Sequence, residues 1–484
     1  MSKDRMLCNL QTLEDQTALL RCLVQAGLAA VAPDSAVLRH LHCDGTTLRL
    51  TAHDVVWEAR LESFARIRVL GAGKGAAPMA KALENMLGDR LTDGLIVVKY
   101  GHDLPLPHKL QRINVREGGH PVPDAAGALA AQEMLKLAHD CTQDDLLLCV
   151  FTGGASALTP ALCPGIALSD MQTLTARLLE CGATIHEINM LRKHLSCFSG
   201  GGLARAAFPA SVLSLLVSDV VGDNLDVIAS GPTVPDPSTF ADCWRIVQHY
   251  GLVLPKRLLE RLQQGRDGVL AETPKAGDPI FARVCTVLVA TVQQALEAAA
   301  LEARRHGVIP RILTSTLTGE ARQCARELVA EAVRVQAELA PDAAPICLLA
   351  GGESTVTVRG TGKGGRNQEM ALAALLALAD TTGIHMVCVG TDGTDGPTDA
   401  AGGFAHSKDL ARIRALGLDP EASLANNDSY HLLDAANRLL RTGPTRTNVM
   451  DMVLMIIEPL PLAGRGGHPH VPRGGGGGPP PPPP

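Results

Sequence analysis

Along most of the chain, short apolar runs alternate with longer amphipathic stretches, and most apolar runs end in glycine, serine or aspartate. Such runs include VLGAG at 69–73, LLLCVFTGG at 146–154 and LSLLVSDVVG at 213–222. Apolar runs of about four to eight residues bounded by turn residues are typical of buried strands, whereas longer periodic stretches are typical of helices. The alternation predicts an α/β fold in which helices cover a parallel sheet.

Two polar, proline-containing segments divide the chain, TPKAGDPI at 273–280 and ELAPDAAP at 338–345. A length of 484 residues suits two or three domains. We therefore predict an N-terminal domain over 1–340 and a C-terminal domain over 346–455. The final stretch, 460–484, ends in glycine and proline repeats that cannot pack a core, which predicts a disordered tail.

Composition narrows the classes of function. Only 2% of the residues are aromatic and the formal net charge is −6, so neither a base-stacking surface nor a basic patch for nucleic acid is indicated. No stretch approaches the roughly 18 uninterrupted apolar residues of a membrane-spanning helix. The 13 cysteines are scattered and form no CxxC pair, which indicates free thiols in a reducing cytosol. We expect a cytoplasmic protein that binds neither a membrane nor nucleic acid.

The first glycine-rich turn, GAGKGAA, follows an apolar run and precedes a helical stretch. Gly71, Gly73 and Ala76 have the spacing of the dinucleotide-binding fingerprint. A ribose-binding acid should follow about 20 residues later, but the next apolar run ends in Lys99. Lys74 would lie at a helix N-terminus, where the dipole and free N–H groups favour a phosphate. The alternative is a solvated lysine on a turn.

A second turn, FTGGASAL, contains Gly153, Gly154 and Ser156. Successive N–H groups in such a turn form a nest for a carboxylate or phosphate, although a tight strand-to-helix turn explains the same residues. Downstream, residues 192–194 in LRKHLS carry three basic side chains, which are typical of a solvated helix face.

Acidic residues follow other predicted strands. Asp219 and Asp223 leave the run LSLLVSDVVGD, and Glu353 ends LLAGGE. One or two carboxylates together with substrate phosphates are the usual ligands of Mg²⁺, so Asp219 and Asp223 are candidate metal ligands. Asp219 alternatively caps a helix. Three further aspartates follow a strand in GTDGTDGPTD, without the spacing of a calcium loop.

Arg366, in GGRNQE, carries a planar fork of donors that suits bidentate binding of a carboxylate or phosphate. The preceding glycines would let backbone N–H groups close around an oxyanion whose charge Arg366 offsets. An Arg–Glu pair at the start of a helix is the alternative. Because ligands bind outside the carboxyl ends of parallel strands, these loops together predict one shared anion and metal site.

Several motifs resemble, in this order, the class II glycerate kinases of the MOFRL type. They are GAGKGAAPMA, GGHPVPDAAG, FTGGASALTPA, GATIHEINMLRKHLS, SDVVGDNLDVIASGPTVPDPSTF, GGESTVTVRGTGKGGRNQEMAL, GTDGTDGPTDAAGG and TGPTRTNVMD. The resemblance covers about residues 15 to 452, and some bacterial members of the family are labelled hydroxypyruvate reductase. It implies a Rossmann-like three-layer N-terminal domain, a smaller α/β MOFRL domain and an active site in the cleft between them.

The resemblance also implies a reaction, the Mg²⁺- and ATP-dependent phosphorylation of D-glycerate to 2-phosphoglycerate. Lys74 and Arg366 then correspond to the essential cations, with Asp219, Glu353 and Asn427 lining the same site. Small molecules are the implied partners, and a homodimer is compatible with the sequence.

Two positions depart from the family pattern. Ala155 stands where a third glycine is usual, and Ser199 stands where a lysine is usual. The runner-up interpretation is an NAD(P)H-dependent hydroxypyruvate reductase, favoured by Gly71, Gly73 and Ala76 and opposed by the missing ribose acid. A catalytically inactive binding protein is the third.

Overall fold

The computed structural model describes residues 12–52 and 54–460, and the sequence-predicted tail lies almost entirely outside them. The strands are β1 (Leu41–Cys43), β2 (Thr47–Ala52), β3 (Val55–Arg60), β4 (Arg66–Ala72), β5 (Asp93–Lys99), β6 (Ile113–Gly118), β7 (Asp145–Phe151), β8 (Ser211–Val217), β9 (Val284–Ala290), β10 (Ile309–Glu320), β11 (Ile346–Thr355), β12 (Ile384–Gly390), β13 (Gly402–His406), β14 (Leu439–Leu440) and β15 (Asp451–Ile457).

The helices are α1 (Leu13–Ala30), α2 (Pro33–His40), α3 (Ala76–Leu87), α4 (Ala125–His139), α5 (Ala155–Leu158), α6 (Leu168–Glu180), α7 (Ile185–His194), α8 (Gly202–Ala207), α9 (Phe240–His249), α10 (Lys256–Arg266), α11 (Val292–Arg305), α12 (Ala321–Ala337), α13 (Arg366–Ala377), α14 (Asp409–Ala415), α15 (Pro420–Ala425) and α16 (Ser429–Ala435). Among the described residues, no helix is both long and apolar enough to cross a bilayer.

The first large sheet is parallel throughout and has the order β6-β5-β4-β7-β8-β9. Its central strand β7, DLLLCVF, is buried along its whole length, as a strand covered by helices on both faces must be. Chain order reverses between β4 and β7, so the loops that follow these two strands diverge and leave a crevice at their carboxyl ends. The predicted α/β fold with a parallel sheet is confirmed.

The second large sheet is mixed, with the order β10-β11-β15-β12-β13-β14. Strand β15 runs antiparallel between β11 and β12, so its first residue lies at the edge where those two strands end. A three-stranded antiparallel sheet, β1-β2-β3, completes the strand structure of the described residues.

The N-terminal helix α1 packs against α11 and against β12 and β15 of the second sheet. It begins with a capping box, in which Thr12 and Asp15 each bond the other's backbone N–H. Buried leucines of α1 share one apolar cluster with Met452 and Leu454 of β15. Helix α1 and strand β15, which are far apart in the sequence, therefore pack together in one layer.

The predicted domain limits, 1–340 and 346–455, remain predictions. In the structure the second sheet begins with β10, at Ile309, and α12 packs on α13 over that sheet. Strand β10 and helix α12 both precede residue 340. The polar segment at 338–345 connects α12 to β11 within the second layer.

Candidate active site

The crevice of the parallel sheet is formed by the turns after β4 and β7, which touch each other. The backbone N–H of Lys74 donates to the carbonyl of Gly153 over 3.1 Å. A Cβ on Gly71 would lie 2.3 Å from Val150 Cγ2, and one on Gly73, at φ +125°, would lie 2.2 Å from Thr152 Oγ1. The fingerprint glycines are thus explained by the close approach of β7.

Lys74 extends from this crevice to the second sheet. Its Nζ lies 3.0 Å from Asp392 Oδ2, in the loop after β12, and both side chains are 20% exposed. Burial opposes ionisation of Asp392, but the Lys74 ammonium and hydrogen bonds from Thr394 hold its pKa below the ordinary value. The two sheets therefore face one common cleft.

Arg366 is the first residue of α13 and faces this cleft. Its Nε and Nη2 donate to the two carboxylate oxygens of Asp451 over 2.6 and 3.0 Å, and its Nη1 lies 2.7 Å from Glu353 Oε1. A guanidinium gripped by two carboxylates has a fixed position. The sequence prediction that Arg366 and Glu353 lie together at a strand end matches this geometry.

The glycines before Arg366 have a different use from the predicted one. A Cβ on Gly365 would lie 2.4 Å from Asp395 Oδ1, and Asp395 accepts hydrogen bonds from the N–H groups of Asn367 and Gln368 over 3.1 and 2.8 Å. A carboxylate of the chain itself thus fills the position expected for a bound oxyanion. Burial raises the pKa of Asp395 to about 6 despite these bonds.

Asp219 follows β8 and enters the cleft from the parallel sheet. A Cβ on Gly153 would lie 2.2 Å from Asp219 Oδ2, so glycine is required there for the carboxylate to fit. Burial, followed by the charge of Glu353, raises the pKa of Asp219 to about 6. Asp219, Glu353 and Lys74 are therefore brought within electrostatic reach of one another.

Carboxylates outnumber cations in the cleft. Burial raises the pKa of Glu353 and of Asp451, as it does for Asp219 and Asp395. The cavity here measures about 590 Å³ and is lined mainly by the second sheet and its loops, with Val221 contributed by the loop after β8 of the parallel sheet. A divalent cation bound in it would offset the excess negative charge.

The candidate metal ligands fit Mg²⁺ by their chemistry. Asp223 is at φ +56°, and its Oδ1 is buried with no hydrogen-bond partner among the described residues. Within the described ranges, three potential ligand side chains converge only at Cys22, Glu302 and His306, on α1 and at the end of α11, and not in the cleft. Mg²⁺ takes one or two protein carboxylates and completes its shell with water and phosphate, so the assignment of Asp219 and Asp223 agrees with its ligand preference and stays a prediction.

Two histidines border the glycine-rich turns that contain Lys74 and Gly154. A Cβ on Gly154, at φ +88°, would lie 2.8 Å from His120 Cδ2. Burial and the charge of Lys74 lower the pKa of His120 to about 4, and burial together with Lys99 lowers that of His102. His120 is therefore a neutral imidazole at pH 7.

Two predicted site residues have their contacts elsewhere. The Asn427 carboxamide accepts from the N–H groups of Arg359 and Gly360 over 2.8 and 3.0 Å and donates to Glu369 over 2.9 Å, so it braces a loop. Ser156 Oγ lies 2.8 Å from Ser230 Oγ, behind the β7–α5 turn. Whether either contacts a ligand remains a prediction.

The expectation of a solvated helix face at residues 192–194 is wrong. Lys193 is 3% exposed and lies 2.9 Å from Asp226 and 3.0 Å from Asp236. His194 is buried, with Nε2 3.2 Å from Glu272. Their carboxylate partners are distant in sequence, so local charge patterning gave no sign of the burial.

Asp451 is the cleft residue that the sequence reasoning missed. It is the first residue of β15, and a strand start lies at the wrong edge of a parallel sheet to contribute to a site. Because β15 is antiparallel to both neighbours, its start lies at the functional edge. The motif TNVMD, which ends in Asp451, was the sequence feature that could have indicated this residue.

Family models match both halves of the chain. Residues 19–263 match the model described as a domain of unknown function, DUF4147, and residues 346–451 match the model of the MOFRL family. The D-glycerate 2-kinase of Thermotoga maritima is 40% identical, over 81% of this chain and 91% of that protein. The glycerate kinase of Mus musculus is 36% identical, over 91% of this chain and 92% of that protein.

A relative from Agrobacterium vitis, 42% identical over 81% of this chain and 87% of its own length, has a provisional name, hydroxypyruvate reductase. The crystal structure of a glycerate kinase from Thermotoga maritima superposes with a TM-score of 0.80 at 37% identity, covering 92% of this chain and all of that one. With its DUF4147 and MOFRL regions in this order, the chain belongs to the glycerate kinase family.

Proposed function

We propose that this chain is a glycerate 2-kinase that transfers the γ-phosphoryl group of ATP to D-glycerate in the cleft between the two sheets. The observation that carries the proposal is the placement of Lys74 and Arg366, from different sheets, in a single acid-rich cleft. Phosphoryl transfer needs mainly positioning and charge neutralisation, which two cations and several carboxylates supply. The relatives named glycerate kinase support the same reaction.

In this reaction the C2 hydroxyl oxygen of glycerate forms the new bond to phosphorus. The bond from phosphorus to the bridging oxygen breaks, ADP leaves, and the hydroxyl proton passes to a carboxylate of the cleft. Arg366, held by Asp451 and Glu353, offers a fixed charge to the phosphoryl oxygens. Lys74 reaches the same region from the opposite wall. Its ammonium group has one carboxylate partner, Asp392, which an anionic group of the substrate can replace.

Asp219 and Asp223 are the residues that would hold Mg²⁺. An ion bound there would neutralise and orient the phosphate oxygens during transfer. Lys74, Arg366 and Asp219 are accordingly the proposed catalytic residues, and Glu353 lines the site beside Arg366. Gly153 lets the backbone of its turn pass close to the Asp219 carboxylate, and its successive N–H groups are the proposed contacts of the phosphates.

The residues that suggested the reductase alternative have another explanation in the structure. Gly71 and Gly73, which suggested a dinucleotide, are in contact with β7 and Thr152 and are explained without a ligand. The strand that should end in a ribose-binding acid ends in Lys99. A carboxylate at that position would be needed to bind the ribose hydroxyls of NAD.

The test is a paired assay of the purified full-length chain. ADP release is measured with Mg-ATP and D-glycerate, and NADH consumption is measured separately with hydroxypyruvate. We expect glycerate-dependent ADP release, with 2-phosphoglycerate as the product by phosphorus NMR, and no consumption of NADH. NADH consumption without ADP release would overturn the proposal in favour of the reductase.

A further inference from the structure

A second concave site lies behind the β7–α5 turn, beside the cleft. It is a cavity of about 240 Å³ whose wall is mostly apolar and includes Val122, Leu162, Met171 and Leu179. This volume is smaller than the roughly 300–1,000 Å³ of a complete small-molecule site. The cavity therefore suits one flat, apolar part of a ligand whose remainder lies elsewhere.

The polar side of this cavity is built from serines held in constrained positions. Ser156 Oγ and Ser230 Oγ lie 2.8 Å apart, and Ser199 also lines the wall. Ser230 and the preceding Ala229 have φ values of +59° and +54°, in the left-handed region that residues with a Cβ rarely adopt. Such backbone strain is concentrated at ligand sites, where the surrounding structure maintains it.

Arg192 completes the wall and has few partners of its own. Its Nη2 donates to Thr175 Oγ1 over 3.4 Å, a long hydrogen bond. Burial lowers the pKa of Arg192, and no carboxylate of the described residues offsets that effect. A half-buried guanidinium without an ion-pair partner offers a planar face for stacking on an aromatic ring and free donors beside it.

The cavity and the cleft are joined by two short segments. Gly153 touches Asp219 in the cleft, whereas Ser156, three residues later, lines the cavity. Three residues span at most about 10 Å. On the facing segment His120 touches Gly154, and Pro121 lines the cavity. A ligand with an apolar part in the cavity can therefore place a charged part beside Lys74.

We propose that the cavity takes the purine base of the nucleotide donor, while the phosphates run along residues 153–156 toward Lys74. This inference depends on the proposed kinase function, since it assigns the nucleotide of that reaction to a place. Glycerate is small and hydrophilic throughout, so an apolar wall offers it little. A purine matches both the apolar wall and the planar guanidinium of Arg192, and the serine hydroxyls can bond its polar edge.

The test compares the binding of a ligand that contains the base with the binding of a ligand that contains only phosphates. Ala176 lines the cavity but is exposed on α6, so Ala176→Trp fills the cavity without entering the core. Calorimetric titration with Mg-ADP should show at least a tenfold loss of affinity in this variant. Binding of Mg-tripolyphosphate, which has no base, should change less than about twofold. Ala330→Trp, on the exposed face of α12, is the matched control and should bind both probes like the wild type.

Leu179→Ser provides a second variant, because Leu179 is 63% exposed and its loss removes only part of the apolar wall. We expect a loss of about three- to tenfold for Mg-ADP alone. Unchanged ADP affinity in Ala176→Trp, or an equal loss for ADP and tripolyphosphate, would overturn the inference. Phosphorylation of glycerate by the wild type tests the kinase proposal separately. If the wild type phosphorylates glycerate and Ala176→Trp does so with an unchanged KM for ATP, only the assignment of the cavity is refuted. ADP binding to a wild-type chain that does not phosphorylate glycerate refutes the kinase alone.

Discussion

The cleft presents two cations that are held in different ways. Lys74 comes from a turn of the parallel sheet and has one carboxylate partner, Asp392, which belongs to the second sheet. Arg366 starts a helix of the second sheet and is gripped by Asp451 and Glu353, both from that same sheet. The first contact joins the two sheets, and the second lies within one of them.

In the proposed kinase reaction, we expect this difference to give the two cations different parts. A guanidinium fixed by two carboxylates needs no reorganisation when charge develops on the phosphoryl group, and such preorganised groups lower the activation barrier most. An ammonium with a single partner can leave it for a substrate anion and responds to the spacing of the two sheets. Arg366 should therefore affect kcat chiefly, and Lys74 should affect both kcat and KM.

The largest effect is expected from Arg366→Lys. Lysine keeps the charge but loses the planar fork that Asp451 orients, so kcat should fall by about 10³-fold, the usual scale for a transition-state arginine. KM for glycerate should change less than about fivefold. Steady-state kinetics measure both, with Arg359→Lys, on the exposed loop after β11, as the matched control. A kcat within threefold of the wild type would contradict the assigned role.

Lys74→Met should have the next largest effect. Removing one charged donor to the transferring group costs about 10²- to 10³-fold in kcat/KM. Lys363 is the matched control, because it also follows a glycine but lies 4.4 Å from the centre of the Tyr430 ring. Lys363→Met should retain kcat/KM within about twofold. If both variants lose activity equally, the comparison between the two cations fails.

Asp219→Asn tests the metal site and its pH dependence. Protons compete with Mg²⁺ for Asp219, so wild-type Mg²⁺ affinity should fall as pH falls through about 6, whereas an ordinary aspartate would retain the metal to about pH 4. The variant should lose about tenfold in Mg²⁺ affinity at pH 7.5. A lost rate with unchanged Mg²⁺ affinity would mean that Asp219 orients the hydroxyl instead.

The same residue predicts a stability change of definite sign. The pKa of Asp219 is raised in the folded chain, to about 6, so its favourable contribution is complete below about pH 4 and is lost as pH rises through 6. Without metal, Asp219→Asn should therefore be more stable than the wild type at pH 7.5, by on the order of 2–3 kcal/mol, since each unit of a pKa shift corresponds to about 1.4 kcal/mol. At pH 4 the two should unfold alike. Thermal unfolding at both pH values distinguishes this from a general effect of the substitution.

The sequence predicted the parallel sheet, at whose carboxyl edge the turns carrying Lys74 and Asp219 meet. It also predicted that Glu353 and Arg366 share their site, although these two residues belong to a second, mixed sheet that faces the first. It did not predict Asp451, whose position depends on the antiparallel insertion of β15. Strand direction is decided by long-range packing, which local periodicity does not contain.

The glycine loops show a second limit of the sequence. Gly365 is required by Asp395, and Gly71 by Val150, rather than by a ligand. A glycine indicates that something comes close, but the sequence does not say whether that neighbour is a substrate or another part of the chain.

Asn427 gives the smallest expected kinetic effect and separates bracing from binding. Its left-handed backbone, at φ +55°, makes Asn427→Gly the appropriate variant, since glycine removes the carboxamide without adding backbone strain. Loss of its bonds to the 359–360 loop and Glu369 should lower the free energy of unfolding by about 2 kcal/mol. KM for ATP and for glycerate should stay within about twofold. Asn426→Gly, which loses one exposed bond to Thr361, should cost less than half as much. A KM for ATP raised more than tenfold at unchanged stability would instead indicate that Asn427 contacts the nucleotide. A residue that only supports the loop would change KM only together with the stability.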